Sequence, residues 1–461
     1  MEYLEAGVDQ LVVFIMPFYM FHGQTRFRAS GNSKRWASVT ILRDRVSIGI
    51  VMNRFLVAQV GPRRRYAVAA GLERAGMLDG LYTDLCADLN PGRAICSLGG
   101  ALKTQAIHRL RGRRVPPSVV GTTRSFGWPA VRYELDKRLA GADPHRQARA
   151  LSSFGGRLGR AMARAGFGKA THLYTLLGDV TPLLEAARSR RLVTVTEIYV
   201  ILTAELIVAR ERRRYPGFET DPPADLLAEA FEWLRRVIAL SDWLVVPSEA
   251  VKDDLVQNFG VESERCLLVP YAADDRWFEV RNQGVPGRLL FVGTAGLRKG
   301  IHTLGQAAQI LGQDPFHYRI AGGVDEAVRE HPLTRPLTFL GRIPRLDVVR
   351  EYEGADVFVL PSLAEGSAEV TYEALAAGIP VVTTAEAGSV VRDGIEGFIV
   401  PASDPDALAM RVRQIVDNRD LRERMGAAAR ARASEFTWIR YSERLAEALS
   451  KLPATASQVS D

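Results

Sequence analysis

Asp356-Val-Phe-Val-Leu-Pro-Ser-Leu-Ala-Glu365-Gly-Ser-Ala-Glu-Val-Thr-Tyr-Glu373-Ala-Leu-Ala-Ala-Gly378-Ile-Pro-Val-Val-Thr-Thr384 is the stretch that decides the fold. Its apolar runs at 356–360 and 379–384 read as strands. Between them the small polar turn Glu365-Gly366-Ser367 leads into a helix that stops at Gly378. Strand, loop, helix and strand form the unit of an open parallel sheet, which binds ligands outside the carboxyl ends of its strands. The first turn of such a helix leaves N–H groups unpaired at its positive end, suited to a phosphate or a sugar hydroxyl. An eight-residue step lying wholly in helix would cover about 12 Å, too far for one shared proton. Glu365 and Glu373 therefore read as two separate grips on a long ligand. Surface glutamates at an ordinary helix start are the other reading of the same pair.

Working outward, strand-like and helical runs alternate on both sides of this stretch. Phe55 to Val60, Leu81 to Thr83, His172 to Leu176, Leu192 to Glu197 and Trp243 to Pro247 read as strands. Arg65 to Ala75, Thr181 to Ser189 and Ala224 to Leu240 read as helices. A connector at 271–276 precedes a second unit: the strand Arg288-Leu-Leu-Phe-Val-Gly293, a loop bearing Arg298-Lys299-Gly300, a helix from Ile301, then strands at Tyr318 to Ala321 and Leu337 to Leu340. Arg298-Lys299 offers a planar fork beside a point charge, a pairing suited to diphosphate oxygens. The loop lacks the GxxxxGK[ST] pattern of a P-loop. A solvated surface pair is the alternative.

The segment Asp356 to Val400, with its spaced glutamates, Glu373-Ala-Leu-Ala-Ala-Gly-Ile-Pro-Val-Val and Gly388-Ser-Val-Val-Arg392-Asp-Gly-Ile-Glu-Gly397, closely resembles the donor-binding half of the retaining glycosyltransferases of group 1, or family 4. The resemblance implies an α/β protein of the GT-B kind, two doubly wound Rossmann-like domains facing a cleft. It implies an acceptor-side domain at 52–275, a nucleotide-sugar donor domain at 284–435, and a C-terminal helix at 436–452, about Trp438 to Leu449, crossing back to the first. The implied activity moves a sugar from a nucleotide-diphosphate sugar to an acceptor hydroxyl, in cell-surface polysaccharide or glycolipid synthesis, with no metal and no cofactor beyond that co-substrate.

By the same resemblance Glu365, Arg298 and Lys299 carry the chemistry. Glu373 holds the ribose, and the backbone of Gly366, Ser367, Ala368, Glu369 and Val370 holds the sugar. Gly293 begins the diphosphate loop, and Arg342 and Ile343 meet the base. Relatives often carry an arginine directly after the strand glycine, where this chain has Thr294, so the role passes to Arg298. They usually show an aromatic and a glycine where Ser367 and Ala368 stand. On the acceptor side Asp179 and Glu197 are candidates, each with a structural reading beside the functional one. A GT-B sugar-nucleotide epimerase or hydrolase, and a non-catalytic sugar-nucleotide-binding protein, are the alternatives.

Composition fits a soluble enzyme: 461 residues, 47% hydrophobic and 25% charged, can bury two substantial cores. Cys86, Cys96 and Cys266 form no CxxC pair, which fits a reducing cytoplasm. Residues 52–150 carry 17 Lys and Arg against 7 Asp and Glu, including Arg63-Arg64-Arg65, Lys103, Arg109, Arg111, Arg113 and Arg114. Such a field suits an anionic membrane face, placing the protein on the inner face of the cytoplasmic membrane, or a phosphorylated acceptor; a generic solubilising surface explains it equally. A helix with Arg210, Arg212, Arg213 and Arg214 invites the same two readings. No nucleic-acid module accompanies these charges, so the expected partners are a nucleotide sugar and a saccharide, lipid-linked or other small acceptor.

The apolar run 11–21 is too short to span a bilayer and is interrupted by Pro17. Residues 1–51 are expected to be a start-site artefact or a poorly ordered extension, and 453–461 a disordered tail. Asp404-Pro405-Asp406 has a DxD form but reads as a helix cap. Asp253-Asp254 and Asp274-Asp275 read as solvated residues of a helix start and a linker.

Overall fold

A computed structural model of the chain describes residues 53–98, 105–178, 180–312 and 315–454. The expectations for residues 1–51, for Lys103 and Asp179, and for the tail beyond Ala454 lie outside the described residues. Two parallel sheets organise what is described. The first holds β1 (Phe55–Gln59), β2 (Leu78–Thr83), β3 (Thr123–Ser125), β4 (His172–Leu176), β5 (Val193–Glu197), β6 (Trp243–Val246) and β7 (Cys266–Leu268). The second holds β8 (Arg288–Val292), β9 (His317–Ala321), β10 (Thr338–Gly341), β11 (Val357–Leu360), β12 (Val381–Thr383) and β13 (Gly397–Ile399).

Their orders are β3-β2-β1-β4-β5-β6-β7 and β10-β9-β8-β11-β12-β13, so each reverses direction beside its first strand. Helices cover both faces, and the central strands are therefore buried apolar runs: Phe55 to Ala58 and Val357 to Leu360 are each at most 2% exposed. Open parallel sheets bind ligands at such reversals, where the loops after β1 and β8 diverge from those after β4 and β11.

Several boundaries differ from the sequence expectation. The three-residue edge strands β3 and β7 carry too little alternation to be read beforehand, and β2 begins three residues earlier than expected, at Leu78. The helix expected from Arg65 starts at Ala67. Arg64, Arg65 and Tyr66 before it all take positive φ, 44°, 53° and 60°. Left-handed backbone at non-glycine residues costs of order 1–3 kcal/mol each and persists only where the surroundings hold it.

Those surroundings are specific. Arg64 is ion-paired with Glu197 at the end of β5, and its guanidinium lies 3.6 Å from the centre of the Tyr271 ring. Glu197 is fully buried and also accepts from the hydroxyls of Tyr174 at 2.8 Å and Tyr271 at 2.9 Å. Arg65 pairs with Asp274 at 2.9 Å, and Arg63 sits 4.4 Å over the Tyr199 ring. The three arginines are thus drawn into the interior and its rim rather than presented as an open basic field. Arg113 likewise pairs with buried Asp84, and Arg212 with buried Glu205.

The C-terminal helix Trp438–Ser450 lies against the first sheet's helix Ala67–Arg74, where Arg74 donates to Ser442 Oγ at 2.9 Å. A Cβ on Gly71 would stand 2.8 Å from the Ser442 Cβ, so a glycine is needed for this approach. Asn53 donates to the carbonyls of Leu449 and Leu452 at 3.1 and 2.9 Å, and His172 Nε2 lies 3.1 Å from the Pro453 carbonyl.

Removing one partner of a buried ion pair leaves the other as an uncompensated charge. Arg64→Met should therefore lower unfolding free energy by about 3–5 kcal/mol in urea titrations. Arg64→Met/Glu197→Gln should recover part of that loss, because the stranded charge is gone; a double variant no more stable than the single would contradict the arrangement.

Candidate functional site

The reversal in the second sheet gathers the residues singled out in the sequence. After β8, Gly293 turns at φ 145° and the chain runs through the short turn Leu297–Lys299 into the helix Ile301–Leu311. A Cβ on Gly300 would collide with the Pro361 carbonyl, so only glycine lets this loop lie against the one after β11. Leu363 N–H donates to the Arg298 carbonyl at 2.8 Å and sews the two loops together.

The side chains then converge. Arg298 Nη1 lies 2.6 Å and Lys299 Nζ 2.7 Å from the same oxygen, Oε1 of Glu365. Arg298 also donates to the Ala364 carbonyl at 3.0 Å. Burial alone would raise the Glu365 carboxyl, but the two cations outweigh it and hold it below the ordinary range. Burial depresses the Lys299 ammonium, with Glu365 opposing. Glu365 therefore does not face the cation pair across a ligand, as two independent grips would; it is bonded to both.

Glu373 has a different setting. It sits in the helix Glu369–Ala376, four residues past the helix start, and accepts from the Tyr352 hydroxyl at 3.0 Å. Burial, only partly offset by that hydroxyl, pushes its carboxyl up to about 8. Trp277 and Arg276 come from the turn Asp275–Glu279, and the Tyr352 ring lies 4.6 Å from that of Trp277.

The loop between the glutamates touches the first domain. Ser248, the cap of the helix Glu249–Phe259, donates through Oγ to the Gly366 carbonyl at 2.5 Å. A Cβ on Gly366 would collide with the Tyr199 carbonyl. Ser367 turns its hydroxyl inward to Tyr372 at 3.1 Å and the Gly388 carbonyl at 2.9 Å, leaving only its backbone for a ligand. The Ala368 N–H is already paired with the Ala387 carbonyl at 3.0 Å, which removes it as a donor to a sugar. Glu369 opens the helix half-exposed, 3.5 Å from the Arg64 guanidinium, and Val370 packs on the core.

Across the cleft, Glu219 of the first domain accepts from the Leu297 N–H at 2.7 Å, and Glu211 lies 3.1 Å from His302 Nε2. Both contacts fix the start of the loop and helix that carry Arg298 and Lys299. Arg342 and Ile343 follow β10, two strands from β8, with Arg342 exposed beside Gly323 and Ile343 half-buried.

Glu197 does not offer itself to an acceptor. Its Oε1 is taken by Arg64 and Tyr271 and its Oε2 by Tyr174, so it anchors the arginine loop instead. Asp254, expected to be solvated, is buried and holds the Leu202 N–H at 2.6 Å and the Thr203 hydroxyl at 2.5 Å. Asp404 accepts from the Ala407 N–H at 2.9 Å, the cap expected from Asp404 ahead of Pro405 at the first helical position. Arg64 is legible in the sequence as charge placed after a first strand and Gly61-Pro62; Ser248, Glu219 and Tyr352 carry no such signal.

Residues 275–432 match the family of glycosyl transferases group 1. A D-inositol 3-phosphate glycosyltransferase of Corynebacterium urealyticum is 28% identical over 249 residues, covering 48% of this chain and 59% of that protein. The chain thus spans somewhat more than half the length of that curated relative. Among solved structures, sucrose-phosphate synthase from Thermosynechococcus elongatus superposes with a TM-score of 0.59 at 18% identity, over 86% of this chain and 98% of that one. Anabaena HepE in complex with UDP and glucose gives 0.53 at 16% identity, over 87% and 100%. The structural likenesses establish the GT-B fold, and the match of residues 275–432 supports a group 1 glycosyltransferase.

Proposed function

We propose that the protein transfers a sugar from a nucleotide-diphosphate sugar to an acceptor hydroxyl, with retention of anomeric configuration. The observation that carries this reading is the Arg298–Glu365–Lys299 cluster at the reversal of the second sheet. Two cations share one carboxylate there, leaving a net positive charge beside the start of the helix Glu369–Ala376. A diphosphate supplies the missing anion.

In this reading the nucleoside lies along the second domain, with Glu373 accepting from the ribose hydroxyls and the loop of Arg342 and Ile343 beside the base. The sugar sits by the backbone N–H groups of Gly366, Ser367, Glu369 and Val370. The bond from the anomeric carbon to the diphosphate oxygen breaks, and the acceptor oxygen bonds to that carbon on the face just vacated. The acceptor proton passes to the departing phosphate oxygen. Arg298 and Lys299 stabilise the charge that grows on the leaving group, in place of a metal, and Glu365 holds both in position and faces the cation-like sugar. The acceptor enters from the first domain and is a saccharide or lipid-linked hydroxyl compound.

The direct test is melting temperature against a panel of nucleotide sugars, followed by nucleotide release with and without candidate acceptors. One donor should stabilise the protein, by about 2.7 kcal/mol at a hundredfold excess over Kd. Release should depend on acceptor; equal release without one would favour a hydrolase. Lys299→Met removes a charge realised mainly on the leaving group and should lower kcat by about 10²–10³-fold. Its donor KM should change far less.

The raised Glu373 carboxyl gives a pH signature. A ribose needs the acceptor-only carboxylate, so donor KM should fall as pH rises toward about 8, by up to tenfold per unit, and level above it. Glu373→Gln should flatten the profile and raise donor KM at least as much as it lowers kcat. In the unliganded protein the sign reverses: stability from the protonated carboxyl, complete below the ordinary range, is lost as pH rises through about 8.

A further inference from the structure

The helix Gly127–Ala140, which follows the edge strand β3, is apolar on two opposite sides. On one, Ala130, Tyr133 and buried Ala140 face the core, and the Tyr133 ring stacks 5.0 Å from Phe154 of the helix Pro144–Ala165. On the other, Trp128, Leu135 and Leu139 are 73%, 51% and 77% exposed. A turn of 3.6 residues places these three within about 40° of one another, so they form one stripe along the helix. Single exposed apolar residues need no explanation, but an aligned tryptophan and two leucines do.

The stripe is edged by exposed Arg138 and by exposed Arg132, which pairs with Asp136 of the same helix at 2.9 Å. Residues 105–150 around it hold ten Lys and Arg against three Asp and Glu. Unlike Arg64, Arg65 and Arg113, Arg138 makes no ion pair among the described residues, and exposed Arg124 stands just before the helix. No helix of the described residues is long and apolar enough to cross a membrane.

We propose that the Trp128–Leu135–Leu139 stripe docks the first domain on an anionic lipid bilayer. The indole lies at headgroup depth, the leucines enter the acyl boundary, and Arg132, Arg138 and Arg124 reach lipid phosphates along their aliphatic stems. The occupant follows from charge: a negative bilayer complements both the apolar stripe and the basic surface around it. This inference does not rest on the transferase reading.

The test is co-sedimentation of the full chain with vesicles of phosphatidylcholine alone and of phosphatidylcholine mixed with phosphatidylglycerol. The wild type should partition to the mixed vesicles at least tenfold more than to the neutral ones, and less as salt is raised. Trp128→Ser/Leu139→Ser should cut that partition at least tenfold, and Arg138→Glu should cut it on the mixed vesicles alone. Met410→Ser/Ile439→Ser, at exposed apolar residues elsewhere, should bind as wild type. Leu139→Ser alone, checked for an unchanged melting temperature, guards against misfolding as the cause. No partition by the wild type, equal partition by the stripe variants, or a wild-type dimer that those variants dissociate in sedimentation velocity would overturn the proposal, the last by making the stripe a contact between copies.

Discussion

The contact on which the donor half depends is one carboxylate oxygen shared by two cations. Glu365 Oε1 binds Arg298 and Lys299 together, joining the loop after β8 to the loop after β11 where the sheet reverses. Removing these groups from water is expensive, and burial weakens the Lys299 charge accordingly. The trio still carries one positive charge more than it neutralises. A site built only for stability would balance its charges, because an isolated buried charge has no compensation. The excess is intelligible if an anion completes it.

The first domain meets this centre through a loop held in a strained shape. Three successive left-handed residues after β1 are held in place by Glu197 and the Tyr271 ring against Arg64, with Tyr174 fixing Glu197, and by the contacts of Arg63 and Arg65. Arg64 there lies 3.5 Å from Glu369 at the helix start that the second domain presents. Ser248 and Glu219 add contacts to the Gly366 carbonyl and the Leu297 N–H. The two reversals, one in each sheet, are therefore fastened to each other by charge and hydrogen bonds, while the C-terminal helix packs back on the first domain.

Legibility in the sequence followed the range of the forces involved. Val357 to Leu360 and Phe55 to Ala58 are continuous apolar runs because both faces of the sheet are covered, and they are legible directly. Thr123-Arg-Ser125 and Cys266-Leu-Leu268 are short edge strands whose pairing depends on neighbours, and they are not. The spacing of Glu365 and Glu373 and the adjacency of Arg298 and Lys299 are local facts that survived into the geometry. The burial of Glu197 and Asp254 was invisible, since their partners lie far along the chain: Arg64 is 133 residues from Glu197. A charge is buried by what folds over it, not by its own neighbours in sequence.

That distinction also separates the two glutamates. Glu365 stands in the loop, where the neighbouring strand delivers both cations, and it stays ionised. Glu373 stands within the helix, where it meets a tyrosine hydroxyl and aromatic walls, and burial raises it to about 8. Environments that push paired carboxyls apart assign them different tasks. The eight-residue step matters because it places one carboxylate before the helix and the other inside it, facing different elements. Near neutral pH one is a fixed anion that positions cations; the other becomes an anion at little cost when hydroxyl donors arrive to stabilise its charge.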